Sequence, residues 1–325
     1  MIYHSLGRSG LEVSAISLGT GGPSRIGQRT HADESESHRV IQRALDLGIN
    51  FVDTANAYQN GHCEEIVGKA LKGRRHEVVL TTKVCSPMGS GPNEGGLSRI
   101  HIMQAIENSL FRLQTDYVDL YLAHSVDANT PIDETLETFN DLVRQGKVRY
   151  FGCSNFPSWM VCKGLWVSDR GNLESFTCVQ ESYHLLDRRI EREQIPLCLT
   201  QGLGVMTYSA TAVGLLTGRF RHGSPPPADT VWTDRVQRFE DLMTPDADAV
   251  VVALKKIASN RDKTPAQVAI NWILTRPGIT AAIIGPDSEK HVDENMGGAG
   301  WYLSEGEIAT LNEASTWAVS SGDIV

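Results

Sequence analysis

No stretch of this 325-residue chain approaches the roughly 20 consecutive apolar residues that cross a bilayer, and no lysine or arginine run interrupts it. The first absence argues against a membrane-spanning segment. The second, together with a net charge of −9, argues against nucleic acid or an anionic membrane surface as the principal partner. The six cysteines, Cys63, Cys85, Cys153, Cys162, Cys178 and Cys198, contain no Cys-x-x-Cys pair, so reduced, mostly buried thiols are expected in place of a zinc site or a disulfide framework. The glycine-rich passages at 19–22, 89–96 and 297–300 all miss the GxGxxG spacing of a doubly wound dinucleotide fold, and there is no P-loop, HExxH or GxSxG. The amino-terminal stretch MIYHSLGRSGLEVSAISLG breaks around Gly7 and Gly10 without a basic region and a continuous apolar segment, so it does not read as a secretory signal, and a cytoplasmic protein is expected.

What is present is ordinary globular composition, 41% apolar and 21% charged, arranged as a nearly unbroken alternation of short apolar strands and amphipathic segments. Eight strands are predicted, beginning at Ser14, Asn50, Val78, Tyr117, Val148, Ser175, Gly204 and Ile279. Between them apolar residues recur at helical spacing, as in Val40, Ile41, Ala44 and Leu47, or Ile102, Ile106, Leu110 and Leu113. Helices are also predicted over 133–146, 248–260 and 265–276, the last with Thr264 as N-cap and Pro265 in the first turn. This pattern predicts one α/β domain over 1–325: a (β/α)8 TIM barrel with an N-terminal β-hairpin and C-terminal helices. The passage 221–245, with Pro225, Pro226 and Pro227, lacks clear periodicity; following the seventh strand, it is expected to form a flap over the active-site face.

In such a barrel the chemistry lies at the carboxyl ends of the strands. Asp53 lies toward the end of the second strand, Tyr58 in the following loop, Lys83 near the end of the third and His124 at the end of the fourth, so neighbouring strands can bring all four together. Reducing a carbonyl requires hydride at carbon and a proton at oxygen. A phenol is a reluctant acid at neutral pH unless a cation stabilises its phenolate, and an aspartate can keep that cation charged and in place. A histidine nearby can orient the substrate oxygen. Each residue alone has a structural explanation, but the set points to carbonyl chemistry.

The passages NFVDTANAY, LTTKV and DLYLAH resemble the signature of the aldo-keto reductase family, whose four catalytic residues match Asp53, Tyr58, Lys83 and His124. The resemblance runs from LGRSGLEVSAISLGTG through IIGPDSEKHVDEN and implies a nicotinamide cofactor, NADP or NAD, with a small-molecule carbonyl or alcohol as substrate. By the same resemblance Ser154, Asn155 and Gln180 meet the nicotinamide carboxamide, and Tyr208 stacks on its ring. Gly19, Thr20, Asp53 and Ser209 are placed around this end, while Leu215, Thr217, Gly218 and Arg219 approach the pyrophosphate. Gly285, Asp287, Ser288, His291, Glu294 and Asn295 hold the adenosine end. Three positions depart from the family pattern, one being His291, where glutamine is common in NADP-dependent relatives. Ala210 stands where proline is common, and Asp287 where a cation or serine is common in NADP-dependent relatives; its charge would repel a 2′-phosphate and accept a free ribose hydroxyl.

Gly21, Gly22, Cys85, Ser125, Tyr183, Trp232 and Trp317 are further candidates for the pocket wall. One alternative is a redox-sensing regulatory subunit resembling potassium-channel β subunits, weakened by the lack of an extended amino-terminal segment. Another is a metal-dependent hydrolase using His31, His38, His62 and Glu64, which lack paired-ligand spacing. No sequence feature signals an oligomeric state.

Overall fold

The computed structural model describes residues 1–21, 26, 34–228 and 230–320. Strands β1 (Tyr3–Ser5) and β2 (Glu12–Ser14) form an antiparallel hairpin. Eight parallel strands then close a barrel: β3 (Ile16–Gly19), β4 (Phe51–Asp53), β5 (Val79–Val84), β6 (Val118–Ala123), β7 (Val148–Ser154), β8 (Cys178–Ser182), β9 (Gly204–Tyr208) and β10 (Ile279–Ile284). Each pairs with its neighbour in sequence, and β10 returns to β3. All eight fall within the strands predicted from the sequence, and the fold is a (β/α)8 TIM barrel with an N-terminal hairpin and C-terminal helices.

The helices form where apolar stripes and caps agree. Glu34–Asp46 buries Val40, Ile41 and Ala44 as predicted, with Leu47 just past its end. Ile132–Arg144, Pro245–Arg261 and Pro265–Leu274 stand for the other three predicted helices. The last begins in a capping box, with the Thr264 hydroxyl accepting the Gln267 amide and the Gln267 side chain accepting the Thr264 amide. The aperiodic passage is not wholly irregular, since Val236–Leu242 is a short helix in which only Phe239 is buried, too little repetition to read as a stripe.

Side-chain alternation along the strands sorts the barrel into two layers. Val52, Leu80, Tyr121 and Val179 face outward into the main core beneath the helices. Phe51, Val79, Leu120, Cys178, Met206 and Ala281 fill the interior, joined by Leu6 and Val13, so the hairpin closes the mouth at the strands' amino ends. The same two-residue period that puts Phe51 and Val79 inside puts Asp53 and Lys83 inside too, one and two steps nearer the carboxyl ends.

Candidate active site

Lys83 organises this rim. Its ammonium is wholly buried and donates to Asp53 Oδ2 at 2.7 Å, the Thr54 carbonyl at 2.9 Å and the Tyr58 hydroxyl at 3.1 Å. Burial pulls its pKa down, but the opposing charge of Asp53, aided by Tyr58, overcomes that and holds it above the ordinary lysine value. The ammonium also lies 4.8 Å from the centre of the Tyr58 ring. The other oxygen of Asp53 accepts from Gln180 Nε2 at 2.8 Å, a bond that crosses the lumen, because β4 and β8 are opposite strands.

Tyr58 reaches this point through an irregular turn in which Gln59 and Asn60 take positive φ of 48° and 52°. Behind it the fully buried Glu64 accepts from Arg112 at 2.7 Å and from the Thr82 hydroxyl, tying the helix His62–Ala70 to β5. The ring lies against Gly21, where any Cβ would come within 2.3 Å of it, so only glycine fits there. The ring of His124 meets Tyr58 edge-on at 5.6 Å. Burial first, and the Lys83 ammonium second, push the His124 pKa down to about 3, so it is a neutral hydrogen-bonding group at physiological pH.

Asn155 occupies the next strand end in a left-handed conformation, φ 59°. Its amide donates to the His124 carbonyl and to Ser154 Oγ, both at 3.0 Å, and accepts the Tyr208 hydroxyl at 2.7 Å. One side chain thus links the ends of β6, β7 and β9. The helix Ser158–Gly171 takes Pro157 as N-cap, with no side-chain cap from Ser154 or Asn155.

From this rim a cavity of about 880 Å³ runs past β9 to the segment after β10. It is lined by Gly19, Gly21, Asp53, Tyr58, His124, Ser154, Asn155, Gln180, Tyr208, Ser209, Thr217 and Arg219, then by Gly285, Asp287, His291, Glu294 and Asn295. The predicted residues thus gather into a continuous wall, large enough for an extended ligand. Arg219 is the one lysine or arginine among the described lining residues. His291 Nδ1 lies 4.0 Å from the Asp287 carboxylate at the far end.

Some predicted residues lie behind the wall. Thr20 donates its backbone amide and hydroxyl to the Asp53 carbonyl, bracing β3 against β4. Leu215 packs in the core, Gly218 supplies a turn with φ 83°, and the Ser288 hydroxyl caps the helix Glu289–Met296. Tyr183 is buried against Trp272 and donates to Glu191, and Trp317 binds the Ala314 carbonyl near the carboxyl terminus, so neither forms pocket wall. Cys85 and Ser125 sit together, 3.3 Å apart, outside the lining. Gly22 and His31 lie outside the described residues. Five cysteines are buried and Cys162 is exposed. Among the described residues no group of three or more His, Cys, Asp or Glu could hold a metal ion; His62 pairs with Glu65 and Glu64 with Arg112.

The aperiodic passage contributes Thr230, Val231 and Trp232 to the cavity wall. Trp232 is 3% exposed and donates its indole N–H to the Val213 carbonyl at 3.1 Å. Val213 and Ala212 both sit at positive φ, a conformation costly for a β-branched residue. The sequence gives little hint of Thr264, Pro265 and Ile270, which line the cavity from the helix between β9 and β10. Glu181 carries the one local signal of this kind in β8, since a charged residue on the outward face of a helix-covered strand breaks the expected apolar pattern.

The sequence profile described as the aldo/keto reductase family matches residues 15–316. The chain is 36% identical to a probable voltage-gated potassium channel subunit beta of Oryza sativa subsp. japonica, over 91% of this chain and 90% of that protein. It is 36% identical to the uncharacterized oxidoreductase YrpG of Bacillus subtilis (strain 168), over 96% and 95% of the two chains, and 33% identical to the aldo-keto reductase YhdN of the same organism, over 96% and 93%. With a closed parallel barrel, a lysine bonded to both an aspartate and a tyrosine at its rim, and a match over nearly its whole length, this chain belongs to the aldo/keto reductase family.

Proposed function

We propose that this oxidoreductase moves hydride between a nicotinamide dinucleotide and the carbon of a small carbonyl or alcohol, with Tyr58 exchanging the proton at oxygen. The observation that carries this reading is the single buried ammonium of Lys83, bonded to both Asp53 and the Tyr58 hydroxyl at the mouth of the cavity. A phenolate formed when Tyr58 gives up its proton is stabilised by that cation, and Asp53 keeps the cation charged where burial would discharge it. His124 is neutral and so serves as an orienting hydrogen-bond partner for the substrate oxygen, leaving the acid role to Tyr58.

The residues fit a dinucleotide along the cavity. A bound nicotinamide supplies or takes the hydride. Ser154 and Gln180 offer hydroxyl and amide groups at the end nearest Tyr58, and the Tyr208 ring, held by Asn155, supplies a flat wall there. Arg219 meets the charge of the pyrophosphate, and Trp232 closes over the middle as a flap. Family members generally use NADP(H), but the carboxylate of Asp287 at the adenosine end weighs toward NAD.

A second reading is favoured by the relatives named as probable potassium channel β subunits: a regulatory subunit that senses the redox state of its nucleotide. Aldehydes, ketones and sugars assayed with reduced and oxidised nucleotides, followed at the nicotinamide absorbance, separate the two. Turnover without a membrane partner, reduced by ~100-fold or more in Tyr58→Phe with nucleotide affinity retained, supports the enzyme. Unchanged turnover in Tyr58→Phe refutes the assigned role of the phenol.

A further inference from the structure

The nucleotide-facing turn at residues 154–156 is braced from behind by an acid that none of the chemistry above uses. Along β8 the side chains of Cys178 and Gln180 enter the lumen, so alternation turns Glu181 outward. There it is 9% exposed, and its Oε1 accepts the backbone amide of Phe156 at 3.2 Å. The turn it supports presents Ser154 and Asn155 to the cavity, and Asn155 in turn holds Tyr208. The titratable groups facing Glu181 are Cys153 of β7, Cys198 of the helix Gln194–Gln201, Tyr208 of β9, and Asp187 and Arg189 beyond β8. Arg189 is bound to Asp187 at 2.8 Å and 2.9 Å, so its charge is largely answered there.

We infer that Glu181 is a positioning acid for the nicotinamide end of the cavity, and that gain or loss of its proton changes the relative affinity for oxidised and reduced nucleotide. Burial pushes its carboxyl up to about 8, against the pull of the Phe156 and Asn155 amides and of Arg189. Once ionised, the carboxylate holds the Phe156 amide more strongly than the neutral acid does. Its negative field reaches Tyr208, whose hydroxyl it helps to push up to about 12 after burial. An oxidised nicotinamide ring is cationic and gains from that field; the reduced ring is neutral and gains much less. By reciprocity, binding of the oxidised nucleotide draws the proton off Glu181.

The inference rests on reading the cavity as a dinucleotide site, and the test keeps the two apart. NAD+, NADP+, NADH and NADPH are titrated by fluorescence quenching across a pH range spanning about 8, with the native chain and Glu181→Gln. In the native chain the ratio of oxidised to reduced affinity rises by about threefold or more with increasing pH, and in Glu181→Gln it stays at the low-pH value. The same inflection in both proteins, or none in the native chain, overturns the inference. Failure to bind any of the four nucleotides refutes the dinucleotide reading itself. Should Glu181→Gln not fold, calorimetry on the native chain decides: proton release on binding NAD+ or NADP+ near pH 8 supports the assignment, and its absence removes it.

Discussion

Replacing Lys83 with methionine tests the energetics of the rim directly. The ammonium makes three hydrogen bonds, to Asp53, Thr54 and Tyr58, and is fully buried; the Asp53 side chain is 4% exposed. Methionine fills most of the volume but strands the carboxylate, which keeps only its bond from Gln180 on the other oxygen. Removing one member of a buried ion pair costs roughly 3–5 kcal/mol, mostly the penalty of the charge left behind. Lys83→Met is therefore expected to lose about that much stability in urea unfolding followed by tryptophan fluorescence at neutral pH. The double variant Lys83→Met, Asp53→Asn no longer buries a bare charge and is expected to recover about half the loss or more, while both variants lose turnover by ~100-fold or more. A loss below about 1 kcal/mol in the single variant, or no recovery in the double, would refute the account of Asp53 as a charge compensated by Lys83. The pH dependence has a fixed sign. Because the folded pKa of Lys83 lies above 10.5, its contribution is complete below that pH and disappears only as pH rises through the higher folded value.

Three other outcomes are expected. Asp287→Asn shifts the ratio of NADP to NAD affinity toward NADP by about tenfold, ~1.4 kcal/mol; a native chain already preferring NADP by more than that would contradict the role given to Asp287. Trp232→Phe removes the bond to Val213, worth about 1 kcal/mol, and accelerates nucleotide release about fivefold in stopped-flow displacement; an unchanged rate means the loop is no flap. Glu181 is raised from 4.5 to about 8 in the folded chain, so the folded state holds a proton that the unfolded chain gives up over that window and stability declines as pH rises through it. Urea midpoints at the two ends of the window should therefore differ less in Glu181→Gln than in the native chain.

The barrel was legible because its repeat is periodic: eight apolar strands alternate with stripes such as Val40, Ile41 and Ala44, and each observed strand lies within its predicted segment, though with trimmed ends, as where β8 starts at Cys178 and not at Ser175. The four rim residues were legible because parallel strands put their carboxyl ends on one face, so position along a strand already specifies which mouth a side chain occupies. Glu181 and Trp232 were harder. The break that Glu181 makes in an outward apolar face does not say which amide its carboxyl meets, and the indole of Trp232 bonds a carbonyl 19 residues back along the chain, that of Val213.

Residue type and order alone determined the fold class and the placement of Asp53, Lys83 and His124 toward the carboxyl ends of neighbouring strands, with Tyr58 in the loop between, since these depend on local period and on strand order. Tertiary structure decided which groups touch. The bond from Gln180 to Asp53 across the lumen, the link from Asn155 to both His124 and Tyr208, and the depression of the His124 pKa to about 3 all depend on distances between strands and on water excluded by packing. Those quantities arise only when segments remote in sequence close on one another, because hydrogen-bond reach and desolvation are set by neighbours in space.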